Sequence, residues 1–417
     1  MADQASPSTP APPQTAASET SKADVFQTGK VLTIAAGHAV HDTYTGFLPP
    51  LLPDLIAAFN LSNAQAGLLS AFTQLPSVLQ PFIGHLADRL SLRYLVILAP
   101  AITATMMSLL GVAPSYLVAA LLLTVAGLSS AGLHAVGPAM AGRISGDKLG
   151  RGMSFWMVGG ELGRTLGPVL VVSAITLLSL QGIAWLMVAG WLASLLLYLR
   201  LRGVSGRPEI PQGAMPWRMA LRNMRPLFLP LALYLAVSSF INIALTTYLP
   251  TFLREQGSGL WLAGASLSIL EAAGVAGALV GGSLSDHLGR RRVLAASMAI
   301  NTVLMFIFVS TQGWVRTALL PILGFTSLAR TPVVMAMVQQ TYPENRALAN
   351  GSYMALSFLI RSGMLVVFGA LADVLGLRSV FALSAFLLLV GMPAIWFFPA
   401  PKQAQGGESD GAPVPRA

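Results

Sequence analysis

Long apolar segments recur along almost the whole chain, and they restrict its fold more than any other feature. Crossing the roughly 30 Å hydrocarbon core of a bilayer takes about 20 residues of helix. We count twelve segments long enough, and their approximate limits are 30–58, 64–87, 92–112, 114–142, 150–179, 182–201, 226–253, 260–286, 291–311, 315–342, 347–373 and 378–399. Because lipid cannot satisfy backbone N–H and C=O groups, such segments are helical. The sequence therefore predicts an all-α integral membrane protein with twelve transmembrane helices.

Composition restricts the class of protein further. Hydrophobic residues make up 54% of the chain and charged residues 10%, against about 25% charged residues in soluble domains. The chain has no cysteine, which excludes disulfides and thiolate metal sites. It has no Gly-x-x-x-x-Gly-Lys-Ser/Thr loop and no constellation of metal ligands or nucleophile. We therefore expect neither an ATP-driven pump nor an enzyme, and we assign no metal ligand and no cofactor.

Lysine and arginine positions orient the chain in the membrane. With both termini in the cytoplasm, fifteen of these residues fall in inner loops and only three, Arg254, Arg316 and Arg378, fall in outer loops. Basic residues accumulate in cytoplasmic loops. This asymmetry predicts a multi-pass protein of the inner (plasma) membrane with both termini cytoplasmic. It also explains the net charge of +9 without a nucleic-acid partner.

Polar stretches divide the chain into domains. Trp217 and Met219 lie among the arginines of the central stretch, which is either solvated or a short helix on the anionic leaflet. The predicted division is a disordered cytoplasmic tail over 1–28, an N-terminal six-helix bundle over 29–202, a cytoplasmic linker over 203–225, a C-terminal six-helix bundle over 226–400 and a polar tail over 401–417.

The two halves repeat. A glycine followed four residues later by an aspartate ends the second span at Gly84 and Asp88, and it ends the eighth span at Gly282 and Asp286. Basic residues follow both copies. A chain of twelve spans built from two parallel halves is typical of transporters that rock around a central site.

This repeated loop resembles the signature motif of the major facilitator superfamily, over essentially residues 30–400. The resemblance implies a gate in which the glycine allows close helix contact and the aspartate caps a neighbouring helix. The first copy departs from the pattern, with Ser91 and Leu92 where the second has Gly289 and Arg290. The residues that the resemblance assigns to this gate are Gly84, Asp88, Arg89, Arg93, Gly282, Asp286 and Arg290.

A narrower resemblance, mostly in the first half, is to the fosmidomycin-resistance family of efflux proteins. The stretches that carry it are His38-Ala39-Val40-His41-Asp42, Gly46-Phe47-Leu48-Pro49-Pro50, Leu79-Gln80-Pro81-Phe82-Ile83 and Gly132-Leu133-His134-Ala135-Val136. It implies export of small molecules, with a phosphonate antibiotic as the type substrate. Gly163-x-x-x-Gly167-Pro168 is also similar to part of the antiporter motif of exporters.

Ionisable residues lie well inside several spans. Each costs about 2.5–3.5 kcal/mol at the bilayer centre on insertion scales, so these groups must pair with one another or face water. The resemblance places all of them on spans that line or flank the transport cavity. They are His38, His41, Asp42, His134, Glu161, Arg164, Glu271, Arg330 and Arg361.

The fifth span combines two charges with a row of glycines. Glu161 and Arg164 are three residues apart and share a helix face. Gly159, Gly163 and Gly167 recur every four residues, which makes a smooth stripe where another helix can come close. We therefore predict that this helix carries part of a polar site.

Side-chain chemistry divides the candidates between substrate and proton. Arginine stays charged, and its planar fork suits phosphonate or carboxylate oxygens. Carboxylates and imidazoles can gain and lose protons. The substrate-binding candidates are Arg164, Arg361, Arg330, His134, Asn242 and Tyr44, and the proton-coupling candidates are Asp42, Glu161, Glu271, His38 and His41.

Structural roles remain open for the same residues. Glu161 and Arg164 could only hold spans together, His41 and His134 could be packing groups, and Glu271 could pair with Arg330 or Arg361 as a strut. Asp54 and Asp373, near the outer ends of their spans, are expected to be only solvated.

The functional hypothesis is a monomeric proton-coupled antiporter that exports small anionic or zwitterionic compounds, such as fosmidomycin-like drugs or metabolites, by alternating access. Its partners are the small-molecule substrate, protons and the lipid bilayer. The alternatives are a proton-coupled importer of an organic anion and, more remotely, a membrane receptor that does not transport.

Overall fold

The computed structural model describes residues 26–204, 222, 224–342 and 346–398, and every regular element in these residues is helical. Most of the two predicted tails and of the predicted linker lies outside the described residues. The helices are α1 Thr28–Thr45, α2 Leu48–Phe59, α3 Asn63–Gln74, α4 Gln80–Arg89, α5 Arg93–Ser108, α6 Tyr116–Arg143, α7 Leu149–Gly182, α8 Met187–Leu201, α9 Arg225–Ile243, α10 Leu249–Glu255, α11 Leu260–Leu288, α12 Arg290–Ser310, α13 Gly313–Leu328, α14 Arg330–Thr341, α15 Arg346–Leu375 and α16 Leu377–Gly391.

Long apolar helices match the predicted spans. Within the described residues, nine helical stretches are long and apolar enough to cross a membrane, and one of them, 150–201, runs for 52 residues through both α7 and α8. The first two predicted spans are absent from this set, and each consists of shorter helices joined by a turn. The membrane fold is therefore confirmed, while the count of twelve spans stays a prediction.

Several predicted spans are broken where proline removes a backbone donor. The first span divides into α1 and α2 at Gly46 and Phe47, with proline in the first turn of α2. The second contains a 3₁₀ turn over Leu75–Leu79, and the seventh contains a π-helical turn over Ala244–Tyr248. Proline fits the first turn of a helix because the N–H there has no intrahelical acceptor. These breaks place irregular backbone beside polar residues, as is common at functional sites.

The glycine stripe on α7 is confirmed as a helix contact. A methyl group added at Gly159 would lie 2.4 Å from the carbonyl oxygen of Ala35 on α1. At Gly163 and Gly167 it would lie 2.3 Å from the carbonyl oxygens of Ala39 and Thr43, respectively. The contacts recur every four residues on both helices, so the two backbones run side by side. Only glycine permits this approach, because any β-carbon would overlap a carbonyl oxygen.

The two halves of the chain meet through further small residues. Gly67 on α3 lies against the carbonyl oxygen of Leu365 on α15, and Gly369 on α15 lies against the carbonyl oxygen of Asn63. Elsewhere along the same interface, the hydroxyl of Ser268 on α11 accepts a hydrogen bond from the backbone N–H of Val169 on α7, at 3.2 Å. The interface between halves therefore includes two helix pairs, α3 with α15 and α7 with α11.

Asp373 on α15 caps the first turn of α3. Its carboxylate accepts hydrogen bonds from the backbone N–H groups of Asn63 at 2.6 Å and Ala64 at 3.0 Å. The Ser62 hydroxyl accepts from the Gln65 N–H at 3.2 Å. A helix start leaves such donors without partners, and anions are stabilised there. The expectation that Asp373 is only solvated is therefore wrong, since it fastens one half of the molecule to the other.

The α1–α7 contact can be tested by adding one methyl group. We expect Gly163→Ala to destabilise the protein by about 1–3 kcal/mol, the usual cost of overpacking, because the clashing atom is a backbone oxygen that cannot move away. Gly282→Ala is the matched control, since nothing lies within 4 Å of an added methyl group there, and it should gain about 0.5–1 kcal/mol from helix propensity. Thermal unfolding of the purified protein measures both, and equal stability would contradict the contact.

The Asp373 cap can be tested with a single cysteine, since the chain has none. Ser70→Cys places a thiol one turn beyond Gly67 on α3, where it is buried. We expect Asp373→Ala to raise its rate of maleimide labelling about fivefold, since a helix cap contributes about 1 kcal/mol. Glu255→Ala, which removes an exposed acid near the same end of the bundle, should leave the rate unchanged. An unchanged rate in Asp373→Ala would show that the cap does not hold the halves together.

Candidate functional site

A cluster of imidazoles and one carboxylate is buried in the N-terminal half. Asp42 Oδ2 lies 3.4 Å from His38 Nε2, and Asp42 Oδ1 lies 3.8 Å from His134 Nε2 and 3.9 Å from His41 Nε2. His38, His41 and Asp42 come from α1 and are buried, while His134 comes from α6 and its side chain is 32% exposed. His38 and Asp42, four residues apart on α1, are thus in contact, and the cluster also includes His134 from the fourth predicted span.

Neighbouring helices fix the His38 ring. Its Nδ1–H donates a 2.9 Å hydrogen bond to the carbonyl oxygen of Trp156 on α7, and the ring stacks on the Trp156 indole with centroids 3.8 Å apart. Gly160 leaves room for the ring, because an added methyl group would lie 2.6 Å from His38 Cε1. The glycine-rich segment therefore also positions the imidazole.

Arg164 joins this cluster from α7. It donates from Nη2 to Glu161 Oε1, and its Nη1 lies 3.9 Å from Asp42 Oδ2. The Arg164 side chain is 41% exposed and that of Glu161 is 17% exposed, so the guanidinium is accessible to a ligand. The predicted Glu161–Arg164 pair is present, and it forms part of a larger group of charges.

Two arginines of the C-terminal half donate hydrogen bonds to uncharged oxygen acceptors. Arg330, at the start of α14, donates to Asn242 Oδ1 at 3.1 Å and to the Ser327 carbonyl at 3.2 Å. It is only 3% exposed, and its Nη1 has no hydrogen-bond acceptor in the described part of the chain. Arg361 on α15 donates to the hydroxyl groups of Thr246 at 2.8 Å and Thr247 at 3.4 Å. Both threonines belong to the π-helical turn.

These two arginines have no acidic partner within 4 Å among residues 26–204, 222, 224–342 and 346–398. The pairing of Glu271 with Arg330 or Arg361 that we considered is therefore not found at ion-pair distance. Glu271 on α11 is buried and instead interacts electrostatically with both Arg164 and Arg361. It thus lies between the charges of the two halves.

The remaining candidates lie apart from the arginines or are only partly described. The Tyr44 hydroxyl donates to the Leu186 carbonyl and its ring packs on Phe47, so its polar atom is already satisfied within the N-terminal half. The side chains of Asp88 and Arg89 lie outside the described residues. For Gly84 and Gly282 the close helix contact that we predicted is not found in the described part of the chain, where an added methyl group meets nothing within 4 Å.

The second copy of the loop motif is centred on Arg290. Its guanidinium donates to Asp286 Oδ1 at 2.9 Å, to Ser285 Oγ at 2.9 Å and to Gln340 Oε1 at 2.8 Å. It therefore ties the start of α12 to the ends of α11 and α14. Gln340 was not expected from the sequence, because it lies 50 residues away from Arg290.

Sequence reasoning also missed two tyrosines near Arg330. Tyr234 and Tyr353 are buried and interact electrostatically with its guanidinium. Each precedes a predicted site residue by eight positions, Tyr234 before Asn242 and Tyr353 before Arg361. Residues separated by about two helical turns share a face, and this spacing is the signal that could have found them.

Comparisons with known proteins agree with this architecture. The family model described as Major Facilitator Superfamily matches residues 34–320 and 272–416. The chain is 26% identical over 394 residues to the fosmidomycin resistance protein of Escherichia coli strain K12, covering 93% of this chain and 97% of that protein. It is 24% identical over 384 residues to the uncharacterised MFS-type transporter YfnC of Bacillus subtilis strain 168, covering 87% and 91% respectively.

Solved structures show the same fold. A bacterial homolog of the human lysosomal transporter Spinster, inward-facing and unoccupied, superposes with a TM-score of 0.76 at 17% identity, covering 89% of this chain and 98% of that chain. A D-xylose-proton symporter superposes with a TM-score of 0.70 at 17% identity, covering 91% and 99% respectively. With the family model matching well over half of its length, this chain belongs to the Major Facilitator Superfamily.

Proposed function

We propose that this transporter exports small anionic or zwitterionic compounds in exchange for protons, by alternating access. The family supplies the transport mode, and the likeness to a fosmidomycin resistance protein favours efflux of compounds that carry a phosphonate or a similar oxyanion. The substrate binds between the halves, where Arg164, Arg330 and Arg361 present guanidinium groups.

The observation that carries the proposal is that Arg330 and Arg361 have no acidic residue within 4 Å in the part of the chain that the structure describes. Within the described residues, Arg330 is buried with no acceptor for its Nη1 donor, and Arg361 donates to two hydroxyl groups. A buried charge without a partner is unfavourable by several kcal/mol. A bound oxyanion would satisfy both the charge and the vacant donor. Asn242 and the two threonines hold the guanidinium groups in place while the anion is absent.

Glu271 supports coupling between substrate and conformation. It interacts with Arg164 in one half and Arg361 in the other, so an anion that binds these arginines competes with it. Release of the anion returns both arginines to Glu271 and draws the halves together. A ligand shifts a conformational equilibrium only through such differences in affinity for the two states.

Charge balance favours a second candidate, proton-coupled uptake of an organic anion. With neutral histidines the site sums to zero, since it holds three acids and three arginines. A zwitterion leaves the sum unchanged, whereas a monovalent anion needs one proton bound beside it to keep the sum at zero. Charge in low dielectric is costly, so a purely anionic substrate favours symport. The groups counted are Asp42, Glu161, Glu271, Arg164, Arg330 and Arg361.

Transport direction separates the two candidates. In everted membrane vesicles the cytoplasmic face is outside, so an exporter that exchanges substrate for protons should accumulate fosmidomycin when the lumen is acidic. A symporter should accumulate it when the bath is acidic and lose it when the lumen is acidic. The measurement is uptake of radiolabelled substrate under a pH gradient of each sign, with a collapsed gradient as the control. Equal uptake under both signs would contradict proton coupling altogether.

Removal of the unpaired arginines tests the anion site. We expect Arg330→Ala and Arg361→Ala each to weaken substrate binding about 10-fold to 100-fold, since a hydrogen bond to a charged group contributes about 1.5–3 kcal/mol. The readout is substrate-dependent thermal stabilisation of the purified protein, followed by protection of cells that lack their own exporters. Arg378→Ala, which removes an exposed arginine, is the matched control and should bind normally. Normal binding by both site variants would refute the anion site.

A further inference from the structure

Hydrogen bonds determine which nitrogen of His38 carries hydrogen. Its Nδ1 lies 2.9 Å from the Trp156 carbonyl oxygen. A carbonyl oxygen can only accept, so Nδ1 is the protonated nitrogen. A neutral imidazole carries one N–H, and Nε2 of neutral His38 therefore presents a lone pair. This lone pair faces His134 and Asp42.

His134 is fixed in the same way by its own helix. Its Nδ1 lies 2.9 Å from the Ser130 carbonyl oxygen, which again requires hydrogen on Nδ1. Nε2 of neutral His134 therefore also presents a lone pair. The two Nε2 atoms are 3.3 Å apart, which is hydrogen-bonding distance between two atoms that would both be acceptors.

Three acceptors thus converge on one point. The His38 and His134 nitrogens face each other, and the Asp42 carboxylate lies 3.4 Å from the first and 3.8 Å from the second. Buried acceptors with no donor between them repel one another, and burial without a hydrogen bond is costly. One added proton resolves all three contacts, because it forms an N–H···N bond and places an imidazolium beside the carboxylate.

We propose that His38 Nε2 and His134 Nε2 together bind the coupling proton as a shared N–H···N bridge, with Asp42 as the ionised counter-charge. This inference rests on the proposed proton-coupled transport and names the atoms that hold the proton. Asp42 is then the positioning charge, and the imidazole pair is the carrier.

The surrounding charges suit this assignment. On α1, His41 also faces Asp42, at 3.9 Å, as well as the Ala99 carbonyl of α5. On α7, Arg164 lies 3.9 Å from Asp42 and is paired with Glu161. On α11, Glu271 is within electrostatic range of both Asp42 and Arg164. Asp42 is thus the acid that lies beside both imidazoles, while Arg164 is held by Glu161 and Glu271 also interacts with Arg361, so the bound proton offsets the charge of Asp42.

Exposure gives the proton a route. His38 and Asp42 are nearly closed off, with side chains 5% and 4% exposed, whereas the His134 side chain is 32% exposed. Protons therefore enter and leave through His134, the most exposed of these three side chains. The site serves either direction of coupling, because it fixes where the proton binds and leaves the order of binding to the transport cycle.

Trp156 provides a reporter that needs no substrate. Its indole stacks on His38 with ring planes 21° apart, and an imidazolium in contact with an indole quenches its fluorescence. The chain has seven tryptophans, so the Trp156 signal is obtained by subtracting the emission of a Trp156→Phe variant. The experiment titrates this signal with pH in the purified full-length protein, without substrate and with excess EDTA.

We expect the wild-type emission to follow a single protonation, and His134→Gln to bind that proton at least about tenfold more weakly, since a charge-assisted hydrogen bond is lost. Asp42→Asn, which is nearly isosteric, should also weaken proton binding. It still tests the inference if His134→Gln fails to fold. His287→Gln, at an exposed histidine, is the control. An unchanged midpoint in Asp42→Asn and in folded His134→Gln, or an equal shift in His41→Gln, would overturn the shared proton.

Two further outcomes separate rival explanations. If the isolated protein contains a bound divalent metal and EDTA alters the emission as that metal leaves, the cation between the imidazoles is a metal and the inference is wrong. If EDTA has no effect and the titration remains, the proton assignment is supported. Because the titration involves no transport, an intact titration without pH-driven transport refutes only the proposed function. A lost titration with pH-driven transport intact refutes only the shared proton.

Discussion

The close contact of α1 with α7 is the interaction on which the site depends. Three glycines bring the two backbones to distances that no other residue permits, with Gly163 against the Ala39 carbonyl as the central contact. The same contact sets Asp42 beside Arg164 and His38 beside Trp156. Larger residues in place of these glycines would hold the two helices further apart and separate both pairs. The glycine row therefore determines the geometry of the polar cluster as well as the packing of the helices.

The arginines inside the two halves differ in their partners. In the N-terminal half, Arg164 has both Glu161 and Asp42 within 4 Å. In the described C-terminal half, the hydrogen bonds of Arg330 and Arg361 go to amide, hydroxyl and carbonyl oxygens. A half with an excess of acceptors suits a cation, and a half with unpaired guanidinium groups suits an anion. In the proposed mechanism, this asymmetry places the proton in the N-terminal half and two of the three substrate-binding arginines, Arg330 and Arg361, in the C-terminal half.

Much of this arrangement could be predicted because it follows from spacing along one helix. The row of glycines four residues apart predicted a close helix contact on α7, though not that α1 is the partner, and charges inside apolar spans predicted a polar cluster. The Asp373 cap could not be predicted, because its acceptor and donors are 310 and 309 residues apart. The histidine tautomers could not be predicted either. They depend on the backbone carbonyl oxygens of Trp156 and Ser130, and the residue types at those positions do not reveal such contacts.

In the proposed mechanism, Glu271 connects binding at the arginines to the relative position of the two halves. It is buried on α11, which belongs to the C-terminal half but packs on α7 of the N-terminal half. The two arginines that attract it, Arg164 and Arg361, lie on helices from different halves. Any rocking of one half against the other must change at least one of these separations. In the proposed cycle, an anion that neutralises either arginine therefore changes the relative stability of the two conformations, without a separate relay between site and gate.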